Sequence, residues 1–190
     1  MKRTACLIAA ALLAATAAAA GAGEFDGLQP ERSAVTFVFK QMGVPVEGSF
    51  KRLAGQVRFD PANPTAGRAE IEIDLAGVDV GSAEGNDELA GKLWFDTKRH
   101  PKARFVASSV EPQGSSRLAV TGQMTVKGIT KEVRAPATFR EEGGRAVFEG
   151  SFVLRRADYA IGEGLWADFG TVANEVEVRF RLVASATGQQ

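Results

Sequence analysis

A single histidine, His100, and a single cysteine, Cys6, bound most of the chemistry this chain could carry. A zinc centre needs three or four nitrogen or sulfur ligands, and a nucleophilic triad needs its base beside its nucleophile. His100 stands directly before Pro101, a pairing that reads as a turn ahead of a strand. Cys6 lies within the first residues, at the very start of the apolar run there, whereas a lipidation cysteine would follow such a run. Past it the chain has no thiol nucleophile, thiolate ligand or disulfide. No glycine-rich phosphate loop precedes a helix, and no G-x-S-x-G string occurs. Asp158, Glu163 and Asp168 gather around Gly162-Glu163-Gly164 and could hold a cation. Their spacing matches no calcium loop, and a solvated hairpin is the plainer reading. Lys98-Arg99-His100-Pro101-Lys102-Ala103-Arg104 is a basic run of the kind that is usually solvated, though it could meet an anionic head group. These residues point away from catalysis, and they call for no metal or cofactor.

The aromatic residues say more. There are 12 Phe against 1 Tyr and 2 Trp. Phe37, Phe39, Phe50, Phe59, Phe105, Phe139, Phe148, Phe152 and Phe180 fall in alternating runs. Several share a face with Gly48, Gly122, Gly150, Ala69, Ala107, Ala135 or Ala137. One reading is a solid core in which glycines relieve bends in coiled strands. The other is a lumen, with small residues leaving space that phenylalanines line. A barrel of eight strands is at the size where either outcome occurs.

Period-two alternation, the mark of strands with one buried face, supplies the elements that must hold these side chains. Glu175 to Leu182 and Arg68 to Leu75 alternate charge and hydrocarbon without a break. Val35-Phe37-Phe39, Val44-Val46-Gly48-Phe50, Leu118-Val120-Gly122-Met124-Val126, Val133-Ala135-Ala137-Phe139 and Phe148-Gly150-Phe152-Leu154 form further faces. Phe105 to Val110 reads as a shorter strand, and Val57 to Asp60 as the end of a long second strand bent near Gly55. Asp60 to Pro64, Glu111 to Gly114, Lys127-Gly128 and Glu141 to Gly144 are turn-prone. Ser82 to Leu93 reads as one short helix with Ser82 as N-cap. The expected fold is all-β, an eight-stranded antiparallel meander barrel with one short helix. Closure removes exposed sheet edges; a two-sheet sandwich is the alternative, because alternation alone does not separate them.

The first residues read differently. Met1-Lys2-Arg3 is a positive n-region, Ala5 to Ala15 an apolar h-region, and Ala20-Gly21-Ala22 or Ala18-Ala19-Ala20 a cleavage site. Residues 1–22 are therefore expected to be a signal peptide and 23–190 one exported domain. An uncleaved anchor is the alternative, weakened by an Ala-rich run barely long enough to span a bilayer. Losing Lys2 and Arg3 leaves 21 basic residues against 23 acidic ones, a balance with no pull toward nucleic acid or an anionic membrane face.

Motifs now occur in a telling order. Phe50-x-x-Leu53-x-Gly55 comes first, then Asn86-Asp87-Glu88-Leu89 leading into Leu93-Trp94-Phe95-Asp96 and His100-Pro101-x-Ala103-Arg104-Phe105. Gly122 to Lys131 and Phe152 to Tyr159 follow. From about Phe25 to Ala184 the chain resembles the YceI-like family of periplasmic polyisoprenoid-binding proteins. That resemblance implies a lipocalin-like barrel with an apolar tunnel, a bound polyisoprenoid, often an isoprenoid quinone, and no established catalysis. It implies a periplasmic location and, with it, transient contact with a membrane. Carried onto this sequence, the tunnel lining would be Phe37, Phe39, Phe50, Leu89, Leu93, Phe95, Phe105, Gly122, Met124, Phe148, Gly150, Phe152 and Trp166. Trp94 and Phe95 would sit near one mouth, with Trp166 in a loop over an opening. Members often carry histidine near the end of the first strand and in the helix-leading motif. Gln41-Met42 and Asp87-Glu88-Leu89 stand there instead, so head-group contacts through those histidines do not carry over.

Overall fold

A computed structural model describes residues 23–187; the expected signal peptide, 1–22, lies outside the described residues. The chain runs through β1 (Phe25–Leu28), β2 (Ala34–Gln41), β3 (Val44–Phe50), β4 (Leu53–Phe59), β5 (Arg68–Asp74), the short β6 (Val78–Asp79), α1 (Ala83–Ala90), β7 (Lys102–Pro112), β8 (Arg117–Val126), β9 (Ile129–Glu142), β10 (Arg145–Arg155) and β11 (Val172–Ala186). Two pairs act as broken single staves. β1 and β2 are separated by a 3-10 turn at Pro30–Arg32, and β3 and β4 by Lys51-Arg52. The first part of β11 pairs with β2 and its end with β1, so the sheet closes. All neighbours are antiparallel and consecutive, which makes an eight-stave meander barrel, the expected fold.

Local chemistry explains the boundaries. Lys127 (φ 51°) and Gly128 (φ 77°) turn β8 into β9, and Gly143 (φ 57°) and Gly144 (φ 73°) turn β9 into β10. α1 starts where expected, with Ser82 Oγ accepting from the Gly85 N–H at 3.1 Å, and ends at Ala90 rather than Leu93. The second stave breaks at Lys51-Arg52, four residues before the bend expected at Gly55. Gly55 serves closeness instead: at φ 150°, a Cβ there would meet the Glu70 carbonyl oxygen. β7 is 11 residues long, longer than its alternation suggested. A bulge between Ala107 and Ser109 shifts the phase, so that Phe105 and Val110 both face inward.

Inward residues form two clusters, one at each end of the barrel. At one end Phe25, Phe59, Phe139 and Phe148 interlock, with ring centroids 4.8 Å (Phe59–Phe139), 5.1 Å (Phe59–Phe148) and 5.5 Å (Phe139–Phe148) apart. Tilted and edge-on aromatic pairs of this kind add to simple burial. They plug that end. The other end is covered by α1 and by the connections 91–101 and 156–171.

Candidate functional site: an apolar interior beneath a latched lid

Between plug and lid the barrel encloses two cavities. The plug-end chamber, of about 140 Å³, is walled by Val57, Phe59, Ile71, Phe105, Phe148 and Phe152 among others. The lid-end chamber, of about 120 Å³, is walled by Phe37, Phe39, Phe50, Leu89, Trp94 and Phe95 among others. Val35, Ile73, Ala103, Met124 and Val178 belong to both walls and form the belt between the two. An apolar cavity of about 150 Å³ stays dry and takes up a benzene-sized molecule, so each chamber suits one short apolar segment. No carboxylate lines either chamber.

The lid depends on one buried cation. Phe152 and Leu154 share the inward face of β10, and Arg156, the first residue past its end, continues that phase, so a guanidinium enters the apolar end of the barrel at 2% exposure. Its Nε donates to the Ala173 carbonyl at 3.1 Å. Its Nη1 donates to Ile161 (2.9 Å) and Gly162 (2.8 Å), and its Nη2 to Trp166 (2.6 Å) and Val172 (2.7 Å). All five N–H groups of an arginine are thus engaged by main-chain carbonyls of 161–173. Burial lowers this guanidinium from its ordinary value, and the nearby Asp168 carboxylate pulls the other way. Trp94 and Phe169 flank it, with ring centroids 5.7 and 5.1 Å from Cζ. A Cβ at Gly162 (φ 75°) would strike Arg156 Nη1, so glycine is required where the lid crosses the latch.

A second hold comes from α1. Trp166 Nε1 donates to Glu88 Oε1 at 2.6 Å, and the Trp166 ring packs 5.5 Å from that of Trp94. The helix is seated in turn by Asp79. Its carboxylate takes Lys51 Nζ at 2.9 Å, the Gly81 N–H at 3.0 Å and the Asn86 amide at 3.3 Å. Lys51 chiefly, then these two hydrogen bonds, hold the Asp79 carboxyl down to about 2. An unfolded aspartate titrates near about 3.9. The seat is therefore complete above about pH 4 and is lost as pH falls toward 2. Acidification through that window should loosen α1 and change the emission of Trp166, its partner across the mouth. Emission that stays flat from about pH 5 to 2 while the barrel remains folded contradicts this.

The expected lining residues divide. Phe37, Phe39, Phe50, Leu89 and Phe95 wall the lid-end chamber; Phe105, Phe148 and Phe152 wall the plug-end chamber; Met124 walls both. Four do not line either. Leu93 is 37% exposed on the outer surface, where its side chain lies beside Gly164 of the lid and its carbonyl accepts from Gly162 N and Glu163 N. Trp166 covers the mouth from outside Trp94, in keeping with a loop over an opening. Gly122 and Gly150 are occupied, not open. A Cβ at Gly122 would lie 2.5 Å from both the Phe105 ring and the Val106 carbonyl oxygen, and one at Gly150 would strike the Pro136 carbonyl oxygen. Phenylalanines from neighbouring strands already fill the places of their missing side chains.

Other expectations resolve locally. Glu163 pairs with Lys127 Nζ at 2.9 Å, and Asp168 accepts from Gly170 N, Thr171 N and Thr171 Oγ. These acids, with Asp158, belong to the lid's own turns rather than to a hairpin. His100 is a turn residue, its N–H bonded to the Asp96 carbonyl. Much of the basic run is paired on the outer face, Lys102 with Glu72 at 2.6 Å and Arg104 with Glu70 at 2.7 Å. Each such exposed pair adds little stability. One titratable side chain does point inward, the buried Arg156. A charge on the Phe152-Leu154 phase was the signal for it.

Comparison with known proteins agrees with this geometry. A model of the YceI-like domain matches residues 27–184. A UPF0312 protein of Shewanella sp. (strain ANA-3) is 30% identical over 181 residues, 92% of each chain. The crystal structure of Burkholderia cenocepacia BcnA has a TM-score of 0.81 at 42% identity, covering 83% of this chain and 99% of that one. The structure of a polyisoprenoid binding domain from Saccharophagus degradans, implicated in plant cell wall breakdown, has a TM-score of 0.68 over 85% of this chain and 98% of that one. At 20% identity, what it shares is the fold.

Proposed function

The chain belongs to the YceI-like family, and from that premise we propose that it binds the chain of a polyisoprenoid lipid, such as an isoprenoid quinone, as a periplasmic carrier or scavenger rather than an enzyme. The carrying observation is a closed barrel with two adjoining apolar chambers beneath a lid. A wall without carboxylates, and an arginine whose donors are all engaged, favour binding over acid–base chemistry. The same-fold Saccharophagus degradans domain, described as polyisoprenoid binding, supports the ligand class.

Magnitudes shape the mode of binding. Each buried CH₂ is worth about 0.8 kcal/mol against water, but the lipid leaves a bilayer where it is already buried, so exchange is favoured over storage. A long chain outgrows two benzene-sized chambers, so phenylalanines and Met124 must turn to widen the interior. Export is part of the same proposal. The mature chain should start near Gly21 or Gly23, and its intact mass reads the cut directly.

Organic extraction of gently purified protein should release an isoprenoid, seen by mass spectrometry. If none is extracted, and none is taken up from vesicles doped with one, the reading fails. Ala103→Leu adds bulk at the belt shared by both chambers. Bound lipid should fall about tenfold or more while the ligand-free barrel gains up to about 1 kcal/mol from the filled void. Undiminished lipid in this variant would place the chain elsewhere.

A further inference from the structure

We infer that the lid end of the barrel docks on a lipid bilayer, with Met42, Val44, Leu93, Leu165 and Phe169 entering the membrane that gives up or receives the ligand. This rests on the lipid-binding reading above and gives its membrane contact a face. Among the described residues, the large hydrophobic side chains left exposed are these five and Val153, and Leu165, at 89%, is the most exposed. Exposed hydrocarbon gathered in one region marks a contact surface. One set of contacts joins these residues. Met42 N donates to the Thr171 carbonyl at 2.8 Å, which ties the β2–β3 tip, with Val44, to the end of the lid. Phe169 and Val153 wall one outer groove. The Leu93 side chain lies 3.5 Å from where a Cβ on Gly164 would stand, next to Leu165. The opposite end carries nothing similar. Its turns, 60–67, 113–116 and 143–144, hold only Asp, Asn, Gln, Ser, Thr, Pro, Ala and Gly.

The chemistry of the ligand selects the partner. A polyisoprenoid crossing water would expose its whole length, an unfavourable step that grows with every CH₂, so the mouth must meet the bilayer for the chain to pass. The mouth is at this end. It is covered by α1 and by the connections 91–101 and 156–171, and the exposed side chains stand on those two connections and on the hairpin tip beside them. Leu165 directly precedes Trp166, whose N–H closes the mouth on Glu88, so the most exposed apolar side chain belongs to the lid itself. The five residues come from three separate segments, an uneven outline that a fluid bilayer accommodates and a rigid partner would have to match. Exposed charges of both signs stand among them, Lys40, Lys92 and Arg155 with Asp87, Asp158 and Glu175. Electrostatics therefore adds little to the contact, and the bilayer need not be anionic.

Sedimentation with vesicles of pure phosphatidylcholine tests this. Purified protein should bind them, and its binding should change less than about twofold between low and high salt. Met42→Asp together with Leu165→Asp should weaken binding about tenfold or more, since each puts a charge where hydrocarbon should enter. Both side chains are largely exposed, and aspartate before Gly43 suits the positive φ of the hairpin tip, so the barrel stays folded. Ala62→Asp, in a turn at the opposite end, should leave binding unchanged. A parent protein that ignores the vesicles, or a double variant that binds them equally well, overturns the inference; if isoprenoid is still extracted, the lipid reading stands. If the parent ignores vesicles and is a dimer that the double variant splits in analytical ultracentrifugation, the face joins two copies of this chain and the inference is wrong. If vesicles bind through this face but no isoprenoid is extracted or taken up, the docking stands and the reading of the interior fails.

Discussion

Arg156→Met should destabilise the ligand-free barrel by about 3–5 kcal/mol and leave its mouth open. Methionine has a similar reach but donates nothing, so the carbonyls of Ala173, Ile161, Gly162, Trp166 and Val172 lose their shared partner together. Each buried acceptor left unmade costs about 1–3 kcal/mol, less where water reaches it once the lid lifts. Few main-chain bonds remain to hold the segment: Gly162 N and Glu163 N to the Leu93 carbonyl, and Met42 N to the Thr171 carbonyl. Arg156→Lys should lose nearly as much, because one ammonium offers three donors from a single point where the fork spans carbonyls on two sides. Urea unfolding measures the loss. Amide exchange across 160–173 should accelerate ahead of the strands, since the lid then opens locally before the barrel does. A variant within 1 kcal/mol of the parent, with lid amides still protected, would show that packing alone holds the lid.

The staves were legible because period-two alternation survives almost everywhere that one face is buried. Glu175 to Leu182 and Arg68 to Asp74 lie in strands with hydrocarbon inward, and the turns at Lys127-Gly128 and Gly143-Gly144 carry positive φ values, three of the four at glycine. Where the pattern misled, a local device interrupted the period. β7 looked short because the bulge at Ala107–Ser109 changes phase. The second stave was given its bend at Gly55, where glycine instead permits the close approach of β5, while the break falls at the unremarkable pair Lys51-Arg52. No residue preference marks a break held by partners remote in sequence, here Gly77, whose carbonyl takes the Lys51 N–H, and Asp74, bonded to Arg52.

The interior was legible in its phenylalanines and less so in its exceptions. Alternation identifies which residues face inward, and it put Phe37, Phe105 and Phe152 on chamber walls. It does not identify which inward residues leave space, because that depends on pairs across strands. The belt of Val35, Ile73, Ala103, Met124 and Val178 comes from five staves and has no local signature. Arg156 did have one, a charge in phase with Leu154. Its partners lie in a connection without periodicity, so only the folded lid shows that five carbonyls converge there.

The glycines make the sharpest case, and Gly150→Val should cost about 3 kcal/mol or more of stability with or without lipid. Inward glycines beside phenylalanines suggested room for a ligand, in which a larger residue would displace lipid and spare the fold. The registers show otherwise. Gly150 pairs with Ala137 on one side and Phe180 on the other, and the Phe180 ring lies across it, 2.6 Å from where a Cβ would stand. A ring can turn away, but the Pro136 carbonyl oxygen, closer still, belongs to the backbone of the adjacent stave and moves only if the strands part. Gly122 faces the same obstacle in the Val106 carbonyl at 2.5 Å. Gly48 differs, since its nearest neighbours are all atoms of the Phe37 ring. Double variants separate the cases. Phe37→Leu should recover most of the loss in Gly48→Ala, whereas Phe180→Leu should recover little in Gly150→Ala, because the carbonyl remains. Urea unfolding of both pairs reads the coupling. Equal recovery at the two sites would mean that strand backbones yield as readily as rings, and that the small inward residues are spare volume after all.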